Sequence, residues 1–383
     1  MSTRRALLQV AGAAVIVAGF GGAGAFALTR TPRRAIEPWN RVGDSFGDPR
    51  LDALSYAILA PSPHNMQPWR VALEGADAVA VYCDPARLLP QTDPLCRQIT
   101  IGFGCFLELF RQAAAEKGHH AEIEPFPDGE PQPVLDARPI ARVRLKEEPG
   151  IGRDPLFWAT PLRRTNRSPF EDRAVEPRLL AEIAAASAAG VVARVVADQQ
   201  GVEELRALTR DAWKIEWTLP RTRAESIAVT RIGKKEIEAD PWGLSLGGPM
   251  IEALAIADVM TREKQGKPGE TAFDESLRFY EKACQSAAAF IATSTAANTR
   301  ADQLAAGAAW VRIHQAATQR GVAFHPLSQA LQEFPEMAPA YDRAHEILAH
   351  QPGATVQMLA RLGYAKAPAP APREALEAKL IAA

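Results

Sequence analysis

The sequence predicts an α+β fold of two tandem lobes closing on each other as an intramolecular pseudo-dimer. Three observations predict it. The chain has 383 residues, 47% hydrophobic and 23% charged, enough to bury a large core without disulfide staples. Helix-like and strand-like patterns alternate over residues 49–145. A long apolar helix pattern at 97–118, RQITIGFGCFLELFRQAAAEKG, returns at 300–321 as RADQLAAGAAWVRIHQAATQRG. A shift of 203 positions places Gly104 on Gly307, Gln112 on Gln315, Ala113–Ala114 on Ala316–Ala317 and Gly118 on Gly321. Alanine-rich helices also resemble one another by chance, so the echo is read either as an internal duplication or as shared composition.

Residues 1–30 read as a twin-arginine signal peptide: Arg4-Arg5, an apolar Gly/Ala-rich run from Val10 to Leu28, and small residues at Ala25-Phe26-Ala27. The expectation is export to the periplasm through the twin-arginine machinery, with cleavage or retention as an anchor both open. The GxGxxG run at Gly19–Gly24 lies in this segment and precedes TRTPRRAIEPWNRVGD, which has no helical period, so a dinucleotide fingerprint is rejected.

A polar linker follows at about 30–48. Residues 49–60 form a helix with Leu51, Leu54, Ala57 and Ile58 on one face, and strands follow at 69–73 and 77–82. After the helix at 97–118, strands at 120–126 and 138–145 flank a proline-rich loop, 128–137. Pro177 opens a helix running to about Ala189. Residues 201–270 are helical and then Gly/Pro-rich (EADPWGLSLGGP), and about 215–270 reads as a lid-like insertion. The tail is Pro/Ala-rich, extended and then briefly helical. The lobes are drawn at 45–150 and 155–375.

The net charge of -1 and the lack of a basic, aromatic-interleaved stripe argue against nucleic-acid binding. Cys83, Cys96, Cys105 and Cys284 show no metal spacing; they are either buried hydrophobes or, in an exported protein, a disulfide pair that spacing cannot assign. His119-His120 point to opposite faces of a strand, which disfavours a shared metal.

Two stretches carry chemistry. APSPHNMQPW, Ala60–Trp69, holds three prolines that stiffen it and Ser62, Asn65 and Gln67, whose donors and acceptors suit a heteroaromatic edge. It reads equally as a capped helix end. Arg163-Arg164-Thr165-Asn166-Arg167 offers guanidinium forks and a hydroxyl to phosphate oxygens, or is a solvated basic turn. His64 is a proton donor or a structural hydrogen-bonder, and Trp217 and Trp242 either cover a ligand or pack.

Together the two stretches resemble the flavin-dependent nitroreductase family. RRTNRSPF at 163–170 is similar to the family's RRSxRxF run, and APSPHNMQPW to its APSxxNxQPW run. Their order is reversed here, and each half keeps the motif that the other lacks. With DPLCRQ at 93–98, the signal and the closing ARLGYAKAPAPAPREAL, the chain resembles the two-lobed, Acg-type branch over residues 45–375. The resemblance implies a nitroreductase-like fold and one FMN site between the lobes of a monomer. It implies an FMN-dependent oxidoreductase that transfers hydride through flavin N5 to a small flat acceptor, with NAD(P)H as donor. The other implied function is FMN sequestration without turnover. It assigns Arg163, Arg164, Thr165 and Arg167 to the phosphate and ribityl chain. Pro61, Ser62, Asn65 and Gln67 fall to the ring, and Arg373 to a second phosphate contact. Leu327 and Ser328 of HPLSQ fall beside N5, where this chain lacks the family's acidic residue and glycine. No metal and no catalytic side chain are implied.

Overall fold

The computed structural model describes residues 29–382. Residues 1–28, which hold most of the segment read as a signal and the Gly19–Gly24 run, lie outside the described residues. Helix α1 (Pro49–Ala57) starts as its sequence dictates: the Asp48 carboxylate accepts from the Arg50 amide, and Pro49 occupies the first turn. Strands β1 (Trp69–Glu74) and β2 (Ala78–Cys83) form a hairpin, followed by α2 (Arg97–Glu116), β3 (His119–Pro125) and β4 (Ala141–Glu147).

The second half has α3 (Pro177–Ala184), β5 (Val192–Val196), α4 (Gln199–Thr218) and α5 (Pro220–Ala228). Helix α3 stops five residues short of the expected Ala189, in a bend before Gly190 at φ +77°. A small parallel pair, β6 (Thr230–Ile232) and β7 (Leu244–Leu246), brackets α6 (Gly233–Ala239). Then come α7 (Pro249–Ile256), α8 (Arg262–Gln265), α9 (Thr271–Gln285), β8 (Ala289–Thr295), α10 (Arg300–Gln319), β9 (Ala323–Pro326), α11 (Ala338–Leu348) and β10 (Thr355–Gly363).

The strands make two main sheets. The first has the order β11-β1-β2-β4-β3, and the second, fully antiparallel, β5-β8-β10-β9. Strand β11 (Leu380–Ile381) lies beyond residue 375, where the second lobe was drawn to end. The tail crosses back and pairs parallel with β1, Val71 opposite Leu380. It is pinned there by Trp39 Nε1 donating to Ala371 O and Lys379 Nζ to Gln67 O, and it covers an otherwise open sheet edge.

The lobes meet through α2 and α10. A Cβ built on Gly104 would lie 2.1 Å from Leu304 O, and one on Gly307 2.0 Å from Ile101 O, so these backbones touch. Gln112 and Gln315 exchange side-chain hydrogen bonds of 3.1 and 2.7 Å. The residues that superimpose under the 203-residue shift therefore face each other, as residues on a two-fold axis do. The helix-opening arginines obey the same relation. Buried Arg97 donates to Gln357 O and Leu331 O of the second half; buried Arg300 donates to Leu95 O, Pro131 O and Pro133 O of the first.

Candidate functional site

Between the lobes lies a cavity whose floor is one face of α2: Gln98, Ile101, Gly102 and Cys105, spaced i, i+3, i+4, i+7. One wall is the corner Pro61–His64. Another is Thr165 and Arg167 with His325, Ser328, Gln329 and Gln332. Thr165 is placed by a parallel bridge to Phe324, and Asn166 N donates to Phe324 O at 2.9 Å, so the arginine-rich stretch extends the second sheet. The predicted insertion supplies a further wall: Trp213, Glu216 and Trp217 at i, i+3, i+4 on α4, and Ser226 on α5. Trp242 packs instead, between the guanidiniums of Arg87 and Arg231, 3.7 and 4.1 Å from its ring centre.

Of the predicted site residues, Pro61, Ser62, Thr165, Arg167 and Ser328 line this cavity, and six lie behind its walls. The proline-rich corner shows why. His64, Asn65 and Gln67 all have left-handed φ (47°, 57° and 49°), which costs each non-glycine residue of order 1 kcal/mol. The polar side chains hold that strain. Ser62 Oγ accepts from Gln67 N at 3.0 Å; Asn65 Nδ2 donates to Pro372 O at 3.1 Å and Gly243 O at 3.3 Å; Gln67 Nε2 donates to Pro241 O at 2.9 Å. Asn65 and Gln67 thus shape the corner rather than face the cavity.

The arginines are similarly divided. Arg163 Nη2 (2.7 Å) and Arg373 Nη2 (3.1 Å) donate to one carbonyl, Leu59 O, although 210 positions separate them. Arg373 also donates to Ala60 O and to Asn65 Oδ1. Arg164 bonds to Pro161 O and Arg163 O and lies 4.5 Å over the Trp39 ring. Burial lowers Arg163 to about 10 and Arg373 well below its usual value, each further depressed by arginine neighbours. Among the described residues none of Arg163, Arg164, Arg167 and Arg373 forms an ion pair, so positive charge accumulates uncompensated beside the cavity. Only the Arg167 guanidinium is without a protein hydrogen bond and faces the cavity. Leu327 is fully buried, and its amide donates to Leu359 O at 2.8 Å.

Sequence reasoning left out the amides. Gln98 Nε2, Gln329 Oε1 and Gln332 Oε1 are buried, line the cavity and have no protein partner. Two of these residues stand inside stretches singled out for the family resemblance, DPLCRQ and HPLSQ, but an amide in a loop gives no sign of its direction. All four cysteines are free and buried; burial pushes Cys105, on the cavity floor, up to about 12.

Two titratable groups on the walls oppose each other. His64 Nε2 lies 3.0 Å from Ser226 Oγ, and burial with the field of Arg167 lowers the imidazole to about 4. Glu216 accepts from Gln332 Nε2 at 2.8 Å, and burial raises its carboxyl to about 7. The folded state holds the Glu216 proton more tightly than the unfolded chain. Its contribution is complete below the ordinary carboxyl range and is lost as pH rises through about 7. Glu216→Gln keeps an acceptor for Gln332 and removes the ionisation. It is expected to stabilise the protein by about 3 kcal/mol at pH 8 and by almost nothing at pH 4, measured by denaturant unfolding at both.

No family model matches the chain. In sequence it is similar to a Mycobacterium tuberculosis protein with the provisional name NAD(P)H nitroreductase acg, 37% identical over 120 residues. That match covers 31% of this chain and 35% of the relative, about a third of the relative's length. It is 26% identical over 323 residues to Rv3131 of the same organism, also provisionally named an NAD(P)H nitroreductase, covering 82% and 84%. It is 28% identical over 357 residues to the uncharacterized Rv3127, covering 86% and 92%. Among solved structures, the FMN-dependent nitroreductase NfnB from Mycobacterium smegmatis in complex with NADPH aligns at 17% identity and TM-score 0.33, over 56% of this chain and 92% of that one. A Desulfitobacterium hafniense nitroreductase with bound FMN aligns at 12% and 0.34, over 59% and 97%. The sequence matches are homology to nitroreductase-named proteins.

Proposed function

We propose that this homologue of nitroreductase-named proteins is an FMN-dependent oxidoreductase acting on a small flat acceptor, with NAD(P)H as electron donor. The observation that carries the reading is the cavity itself. It brings Pro61–His64 and Thr165–Arg167, a hundred positions apart, to one space with a free guanidinium at its wall. The residues present fit FMN. Arg167 and the uncompensated arginines behind it suit the phosphate, with the Thr165 hydroxyl as a further donor. The unpaired amide atoms of Gln98, Gln329 and Gln332 and the Ser62 and Ser328 hydroxyls suit a ring with both donors and acceptors along its edge.

A bound flavin would supply the hydride chemistry. The chain's own part is to bind and orient. Arg167 and Thr165 would hold the anionic end, the rigid corner at Pro61–Ser62 would bound the ring, and the walls from α4 and α5 would limit access of water.

Arg167→Ala is expected to weaken FMN binding about 10- to 100-fold, the loss of a charge-assisted phosphate contact. Titration of the flavin's fluorescence reads it, and a wild-type protein that fails to bind FMN at all refutes the proposal. The insertion's position against the cavity, with His64 bonded to Ser226, favours a second reading, flavin retention without turnover. Anaerobic mixing with NADPH separates the two: bleaching of the bound flavin supports the enzyme, and an unchanged spectrum supports retention. We also read the facing pairs Gly104/Gly307 and Gln112/Gln315 as the trace of an internal duplication, and residues 1–30 as the export signal, which cell fractionation would test.

A further inference from the structure

The second half carries a hydrogen-bond chain whose end can be deduced from donors and acceptors alone. Arg361, buried on β10, donates from Nε to His325 Nδ1 at 2.9 Å. A guanidinium has donors only, so His325 Nδ1 must accept and the imidazole proton sits on Nε2. Burial and the nearby Arg361 charge hold His325 neutral, well below its usual range. Its Nε2 lies 3.4 Å from Tyr280 Oη, to which it therefore donates, and Gln329 Nε2 donates to the same oxygen at 3.0 Å. A phenol oxygen has two lone pairs and one proton. Both lone pairs are taken, so the proton is left without a protein acceptor, and Tyr280 lines the cavity. Turning the Gln329 amide would let its Oε1 take that proton and would free its N–H instead. In either orientation the chain ends in a donor at the cavity.

The surroundings of Tyr280 indicate what that donor meets. Its ring stacks on Trp213 (4.3 Å, 25°), which stacks on Trp217 (5.2 Å, 23°). This aromatic wall comes from α4 and α9, not from the segments that suit FMN. Burial holds the phenol well above its ordinary value, so it remains a donor at every working pH.

Building on the FMN reading, we propose that Tyr280 is the acceptor-side catalytic residue: it donates a hydrogen bond to the carbonyl oxygen of a quinone-type acceptor lying against Trp213 and Trp217. The bond strengthens as that oxygen gains negative charge, which is where a preorganised donor helps most.

The test uses carbonyl-labelled menadione as the probe and infrared difference spectroscopy on the full exported chain. In wild type the bound carbonyl band is expected below its position in an aprotic solvent. Tyr280→Phe should return it to that position and raise the Kd about 3- to 10-fold. Should Tyr280→Phe misfold, 3-fluorotyrosine at position 280, a stronger donor of nearly the same size, should lower the band further, a change that a merely structural role would not produce. No measurable menadione binding, a band insensitive to position 280, or a change confined to the FMN spectrum overturns the proposal. The flavin reading is scored separately in the same samples. Colourless protein with a Tyr280-dependent band sinks FMN alone, whereas yellow protein with a Tyr280-independent band sinks this inference alone.

Discussion

Gly307→Ala is expected to destabilise the protein by about 4 kcal/mol or more and to abolish the cavity with it. The added Cβ would stand 2.0 Å from Ile101 O, 2.7 Å from Gly104 Cα and 2.8 Å from Cys105 N. All three are backbone, so no side chain can swing aside; α2 and α10 must part. Separation breaks the paired bonds of Gln112 and Gln315 and pulls the Ile101–Cys105 floor away from the walls. Overpacking ordinarily costs 1–3 kcal/mol, and a rigid helix–helix contact belongs at or above the top of that range. The better helix propensity of alanine returns only about 1 kcal/mol. Gly150→Ala is the control: nothing lies within 4 Å of its added Cβ, and a change within about 0.5 kcal/mol is expected. Thermal and denaturant unfolding of both variants decide it, and a Gly307→Ala protein as stable as the control would contradict the close contact.

Acidification from pH 7 to 4 is expected to lower stability. His64 is lowered to about 4, and His314 and His325 well below 6.5, in every case first by burial and then by a neighbouring arginine. Between the folded and unfolded values the unfolded chain binds the extra proton. Stability is therefore complete above about 6.5 and falls as pH drops through the folded values. A shift the size of that of His64 is worth about 3 kcal/mol, and His314 and His325 act in the same direction. Glu216 and Asp93, raised by burial to about 7 and about 6, act in the opposite sense and gain on acidification. Three histidines are set against two carboxyls, and a net loss of stability is expected, against a typical total of about 5–15 kcal/mol. Denaturant midpoints at pH 7.5, 6, 5 and 4 test this. A midpoint constant across that range would mean that the three imidazoles are not held neutral in the folded state.

Much of the frame was legible because it rests on local rules. The apolar face of 49–60, the short apolar runs at 69–73 and 77–82 and the long apolar run at 97–118 are short-range signals, and the structure places these elements within a few residues of the expected bounds. The 203-residue echo was legible for a deeper reason: two helices whose backbones touch need a residue without a side chain on each, here Gly104 and Gly307. The end of α3 was not legible, because an alanine run does not mark where tertiary contacts stop. Nor was the return of the tail to the first sheet, since a two-residue strand has no period.

Amino-acid order alone determined the inventory: a corner stiffened by Pro61, Pro63 and Pro68, a cationic stretch at 163–167, and two matching helices. Tertiary structure alone decided how that inventory is used. Asn65, Gln67, Arg163 and Arg373 look like ligand-binding groups in sequence, yet they are occupied with the carbonyls of Leu59, Ala60, Pro241 and Pro372. Gln98, Glu216, Tyr280 and Gln332, unremarkable in sequence, reach the cavity. A residue type fixes which hydrogen bonds and charges are possible, but backbone packing fixes which partners are within about 3 Å, and that distance settles whether a polar group holds the wall or faces the space it encloses.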